Sequence, residues 1–312
     1  MPSMMQSLRR CWAVLALGAV ILSGCGAAAT GSATGGAATP GTSTPAASSS
    51  TASSTTASSG AATGLLGQVE KSGQLTVALA PFAPLEFQST TTKQWEGFDI
   101  DFLTAFAKTL NARLVVDDMA FAATIQAVHD GRADITANIF ETPSREQELA
   151  FSKPILNYLD GVIVNSQHPQ VAADTVAALS NKTIATCRGC AEEAFVPKIP
   201  GAKNASYSTA DDTFEAVSTG RVAAAFQPVM YEQYAAQTNP SLHIKVLGPI
   251  PASVAGAAQK PQGFYGVELG SGSQSFLTTL NAYIQQSCLN GSTQKILNKY
   301  GLTSPSYLQG LC

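Results

Sequence analysis

Residues 75–116 read LTVALAPFAPLEFQSTTTKQWEGFDIDFLTAFAKTLNARLVV. The run at 75–79 is short, apolar and bounded by Gly73 and Pro81, the signature of a buried strand. Further on, Phe98, Phe102, Phe106 and Leu110 recur at spacings of four, which predicts a helix over 98–110 with Asp99, Asp101 and Lys108 turned to solvent. Residues 113–116 read as the next strand. Working outward, the alternation continues with a helix at 122–129 and a strand at 133–138, then segments at 161–165, 183–186, 214–219 and 222–226. Strand and helix in alternation imply an α/β architecture with mainly parallel strands, whose ligands sit in loops beyond the carboxyl ends of the strands.

The start of the chain is of another kind. Arg9 and Arg10 precede an apolar run at 11–22, too short to cross a bilayer core, so residues 1–24 are expected to be a cleaved signal segment. The ending Leu22, Ser23, Gly24, Cys25 resembles a bacterial lipobox, which implies that Cys25 is lipidated and anchors the mature chain to the membrane. Residues 26–64 are Ala, Gly, Ser, Thr and Pro with one Leu-free, charge-free composition, which cannot offset the entropy of ordering. A flexible tether over 25–64 follows, with a root-mean-square reach of roughly 35 Å. The expected location is extracytoplasmic, on the outer face or in the periplasm, where disulfides persist.

The 312 residues carry 18 Lys and Arg against 21 Asp and Glu, a formal charge of −3. A nucleic-acid binder needs a basic stripe to replace counterions on phosphate, and this balance argues against one. At 45% apolar residues the chain is not disordered as a whole. No phosphate loop, nucleophile elbow or paired metal motif appears, and His129, His168 and His243 have no ligand spacing. No cofactor and no metal are therefore expected.

Several motifs stand in a recognisable order: LTVALAPFAPLEF at 75–87, GFDIDF at 97–102, GRADI at 131–135, TPSR at 142–145, AFSKP at 150–154, GRVAAAF at 220–226 and NGSTQKILNKYG at 290–301. Together they make the chain resemble the bacterial extracellular solute-binding proteins of family 3, which serve polar amino-acid ABC transporters, over about residues 75–302. The resemblance implies two α/β lobes of the type II periplasmic-binding-protein kind, joined by a two-strand hinge, with a ligand cleft between them. Lobe one would be 65–160 plus 264–312, and lobe two 161–263. It also implies no catalysis, a monomer, and delivery of a small solute to an ABC permease and its ATPase. Two alternatives are a cyclohexadienyl-dehydratase-like enzyme on the same scaffold, with Glu192 and Glu193 as the nearest acids, and a sensor without transport.

By the resemblance, Arg145 binds the ligand carboxylate. Thr142 suits an N-cap and Pro143 a first helical position, so a helix amino end would assist. Phe82 and Phe121 match positions whose rings enclose the ligand side chain. Phe140 stands where the family has a hydroxyl, with Asn138 two residues earlier, and Cys190 stands in the second-lobe contact loop. The acid that receives an α-ammonium in the family is here Pro228, preceded by Gln227. The expectation is a carboxylate-bearing solute other than a standard zwitterionic amino acid, with Arg188 and Gln227 as second-lobe contacts.

Beyond Cys11 and Cys25, four cysteines remain, and four allow three pairings. The local arrangement is expected, Cys187 with Cys190 and Cys288 with Cys312. The first bridge would stiffen the contact loop and the second would tie down the tail.

Overall fold

The strand expected at 75–79 is β1 (Gln74–Leu79). A short antiparallel pair follows, β2 (Phe87–Gln88) and β3 (Trp95–Glu96), then β4 (Arg113–Asp118), β5 (Ile135–Ile139), β6 (Leu149–Phe151) and β7 (Leu156–Asn157). A second group comprises β8 (Asp160–Asn165), β9 (Thr183–Cys187), β10 (Lys203–Tyr207), β11 (Ala224–Pro228) and β12 (Ile244–Pro249), and β13 (Gln262–Glu268) comes last. These elements belong to a computed structural model that describes residues 64–256 and 262–312. The expected signal segment, the lipidation site Cys25 and all of the expected tether but Gly64 lie outside the described residues.

Two sheets carry the fold. The first has the order β4-β1-β5-β13-β6, with β7 also paired to β13, and the second the order β10-β9-β11-β8-β12. The chain leaves the first sheet after β7, completes the second, and returns as β13. Helices α1 (Gly64–Ser72), α2 (Phe98–Thr109) and α3 (Phe121–His129) precede the second sheet, α4 (Val176–Leu179), α5 (Ala210–Ser218), α6 (Val229–Thr238) and α7 (Ala252–Ala255) lie within its span, and α8 (Gln274–Leu289) and α9 (Ser292–Lys299) follow β13.

The expectation of mainly parallel strands is corrected. Four pairings are parallel, β1 with β4 and β5 and β9 with β10 and β11, whereas six are antiparallel. The antiparallel ones, apart from the β2–β3 pair, all involve β8 or β13, the strands by which the chain enters the second sheet and returns to the first. Periodicity reports that a strand exists and which face is buried, not the direction in which a returning chain crosses its neighbours.

Alternation along the strands divides the second sheet between two cores, as a period of two requires. Val162, Val164, Ile184, Ala224 and Phe226 point to one side, and Ile163, Ala185 and Ala225 join the larger cluster on the other. Both faces are covered, as expected where helices flank a sheet. In the first lobe, Phe98, Phe102 and Phe106 face inward at the predicted spacing; Phe102 meets Tyr283 at 5.2 Å between ring centroids and Phe106 meets Phe276 at 5.6 Å.

Asp99 departs from its expected outward position and is fully buried. The segment before α2 folds back over the helix start, so the Asp99 N–H donates to Leu85 O at 2.8 Å, and the Tyr265 hydroxyl on β13 donates to Asp99 Oδ1 at 2.7 Å. Asp101 does turn outward, where Lys299 Nζ lies 2.6 Å away.

Candidate functional site

The loop after β1 turns tightly, with Phe82 and Glu86 bridged, and sets the Phe82 ring between two others. Phe121, the first residue of α3, meets it edge-on at 5.5 Å, and Tyr231 on α6 stacks against it at 5.4 Å with 23° between planes. Tyr231 comes from the second lobe and Phe82 from the first, so this stack closes one side of the interlobe cleft.

Asn138 near the end of β5 forms the polar floor, at a φ of 55°. Asn is among the few residues that tolerate that backbone region. Its Nδ2 donates to Glu86 Oε1 at 2.9 Å and to the Tyr231 hydroxyl, and its Oδ1 accepts from the Tyr158 hydroxyl. Beneath it, burial and the adjacent Asp99 hold the Glu86 carboxyl well above its ordinary range, and burial brings Asp99 to about 6. Glu86 Oε2 and Asp99 Oδ2 find no donor among the described residues, and the two carboxyls face each other, so a proton held by the pair satisfies both. Burial also raises Tyr158 and Tyr231, which keeps both hydroxyls protonated.

Arg145 crosses between the lobes. Its Nη1 donates to Phe140 O at 2.8 Å in the first and its Nη2 to Gly189 O at 2.9 Å in the second, while the guanidinium sits 5.4 Å from the Phe121 ring centroid. Burial lowers its pKa, against the opposing pull of Glu192 and Glu148, and the group stays cationic. The expected helix amino end is absent: residues Arg145–Gln147 form a single 3-10 turn, although Thr142 Oγ1 does accept from the Arg145 N–H at 3.3 Å.

The structure joins Cys187 to Cys190 and Cys288 to Cys312, with Cα–Cα distances of 5.3 and 5.5 Å, inside the span of a disulfide. The first pair pinches the turn after β9 and sets Cys190 and Ala191 against the cavity.

Phe82, Phe121, Asn138, Phe140, Arg145, Cys190 and Gln227 all line one cavity of about 30 Å³, room for roughly two waters. Arg188 does not: it is exposed, on the outside of the pinched turn, with its N–H donating to Tyr207 O. Two rings of the wall, Tyr158 and Tyr231, are not picked out by the sequence, and Glu192 enters there only as an acid of the enzyme alternative. Glu192 overturns one premise. A site without an acid, expected from Pro228, is not what forms: Glu192 brings a buried carboxyl to the same cavity, raised by burial to about 7. On the far side of Arg145 the cleft widens to about 560 Å³ between α3 and the segment 189–198.

The model of the bacterial extracellular solute-binding proteins, family 3, matches residues 75–303. The chain belongs to that family. Among curated relatives, the histidine-binding periplasmic protein of Salmonella typhimurium is 26% identical over 229 residues, covering 70% of this chain and 84% of the relative. Among solved structures, the substrate-binding protein of an amino acid ABC transporter matches with a TM-score of 0.65 at 24% identity, over 73% of this chain and 98% of the other. An ancestral amino-acid-binding protein, a precursor of cyclohexadienyl dehydratase, matches with a TM-score of 0.64 at 22% identity, over 76% and 99%. These structural likenesses show the fold, a family 3 pair of α/β lobes. The family matches are to binding proteins.

Proposed function

We propose that the chain is the solute-binding component of an ABC importer, enclosing a small carboxylate-bearing, amino-acid-like solute between its lobes and presenting it to the permease. The observation that carries this reading is the convergence on one interlobe cavity of Arg145, the ring pair Phe82 and Phe121, and Gln227 from the second lobe. The lobes would divide at 65–160 plus 264–312 and at 161–263. A lipid on Cys25 and the tether ahead of the first lobe would hold the protein, as a monomer, outside the cytoplasmic membrane.

A cavity of about 30 Å³ admits such a solute only when the lobes part. Opening separates Tyr231 from Phe82 and Asn138 and Arg145 from Gly189 O, and closure on the solute re-forms them. The solute shifts the population by its preference for the closed form.

Calorimetric titration of the full chain against amino acids and other small carboxylates tests this. Binding by one or more of them, lost in Arg145→Ala, is expected; no heat from either set overturns the reading. A second reading, dehydration of a cyclic carboxylate, draws on Glu192, whose pKa of about 7 suits a general acid. Formation of an aromatic product from prephenate or arogenate would establish it in place of transport.

A further inference from the structure

The two sulfurs of the Cys187–Cys190 link differ in access. Cys187, the last residue of β9, is fully buried, whereas Cys190 is half-buried and lines both the inner cavity and the groove of about 560 Å³ beyond Arg145. The groove gives a small thiolate a route to Cys190 that leaves both lobes folded. Arg145 lines that route and the exposed Arg188 stands two positions before Cys190, and positive charge near a sulfur favours an incoming thiolate and steadies a departing one. Glu148 and Glu193 share the groove, but Glu193 is engaged, accepting from the Gly189 N–H at 2.8 Å and from the Ser206 hydroxyl at 2.5 Å.

The turn that the link pinches has no slack. Cys187 is held in register opposite Tyr207 on β10, so parting the sulfurs moves Cys190 and Gly189 rather than the strand. Gly189 O accepts from Arg145 Nη2 at 2.9 Å across the cleft, and a Cβ built on Gly189 would meet the Ala122 Cβ of the first lobe at 2.9 Å. Bonded sulfurs sit about 2.05 Å apart, and two thiols cannot approach so closely. A turn that opens to accommodate them either draws Gly189 O away from Arg145 or runs into Ala122.

We propose that Cys190 is a site of thiol–disulfide exchange and that the Cys187–Cys190 link is a redox gate on the cleft, permitting closure when oxidised and loosening it when reduced by an external dithiol. The proposal rests on the reading of the cleft as a solute site and adds its regulation. One thiolate of the dithiol attacks Cys190 Sγ; the bond to Cys187 breaks, and Cys187 Sγ leaves with the bonding pair and takes a proton. The second thiolate of the dithiol then attacks the dithiol's own sulfur in the mixed disulfide, and Cys190 Sγ departs and is protonated in turn. In sum, two electrons and two protons pass to the cysteine pair and the dithiol leaves as a disulfide. In an oxidising location the linked form is the resting state.

The test compares the full chain with itself before and after dithiothreitol, without denaturant. Site-resolved alkylation reports which cysteines have opened, and calorimetry against the common amino acids, propanoate and 3-phenylpropanoate reports binding. Cys187 and Cys190 should become alkylated in the folded chain. The solute that binds the oxidised chain should then bind about tenfold more weakly, as the loss of a hydrogen bond from a charged group implies, and reoxidation should restore it. Cys288→Ser/Cys312→Ser should respond as the wild type does, and Cys187→Ser/Cys190→Ser should bind like the reduced chain and ignore the reductant. If Cys187 and Cys190 stay unlabelled until urea is added, the exchange site falls. Labelling with unchanged affinity overturns the gate. An equal loss on adding dithiothreitol to Cys187→Ser/Cys190→Ser assigns the effect to the tail bridge and overturns the gate as well. In each of those cases the oxidised chain still binds its solute and the solute-binding reading stands; if no probe binds the oxidised chain, that reading falls and the gate with it.

Discussion

Gly189 of the second lobe lies so close to Ala122 of the first that a Cβ built on Gly189 would meet the Ala122 Cβ at 2.9 Å, at a φ of +80°. Glycine is needed there twice over, for the backbone conformation and for the approach of the lobes. Gly189 O also accepts the Arg145 bond that spans the cleft.

Replacing it therefore acts on closure. Gly189→Ala should weaken ligand binding by roughly fivefold to thirtyfold, from about 1–2 kcal/mol of left-handed strain together with the contact. Ala122→Gly in the same chain removes the contact and leaves the strain. Partial recovery of affinity in the double variant, with Ala122→Gly alone near wild type, is the expected outcome of the cycle. No recovery would mean that the lobes do not meet at this point when ligand binds.

Asn138 joins the acid pair beneath the cleft to the lid above it, through Glu86 on one side and Tyr231 on the other. Asn138→Asp keeps the shape and the tolerance of positive φ but sets an acceptor against Glu86 Oε1. A further carboxyl in this buried cluster should cost about 3 kcal/mol of stability, read from the midpoint of urea unfolding. Tyr231→Phe removes only the lid's hydroxyl and should cost about 1 kcal/mol.

Much of the fold is legible in the sequence because local pattern determines it. Residues 75–79, 98–110 and 113–116 carry their own periods and breakers, and the elements form where those periods place them. What the sequence hides comes from distant chain. Asp99 is buried by Tyr265, which is 166 positions away, and no helical spacing reports that. In the candidate site, the first-lobe residues sit beside breakers and motifs and can be picked out singly. Glu192 and Arg188 stand four apart on one loop, and only the pinch at Cys187 and Cys190 decides that the acid faces the cavity and the base faces water.

Glu192 and Asp99 also make stability depend on pH, with a sign fixed by the direction of their shifts. Burial raises Glu192 from 4.5 to about 7 and Asp99 from 3.8 to about 6, so the folded chain binds more protons than the unfolded one between those limits. Their contribution is fully present below about pH 4 and is lost as pH rises through 6 to 7. Glu192→Gln should accordingly flatten the fall in melting temperature between pH 5 and pH 8.

The two cysteine pairs should separate stability from binding. Cys288 and Cys312 are 24 positions apart, and joining them removes conformations that the free tail would sample in the unfolded chain. Replacing both by Ser should cost about 3 kcal/mol, the chain-entropy figure for a loop of that size, with little change in ligand affinity. Cys187 and Cys190 enclose only a three-position span, so the same substitution there restores less unfolded-state entropy. It instead frees the turn that carries Gly189 O to Arg145 and Glu192 to the cavity, and should weaken binding more than it lowers the melting temperature. Equal losses of stability from the two double variants would contradict this division of roles.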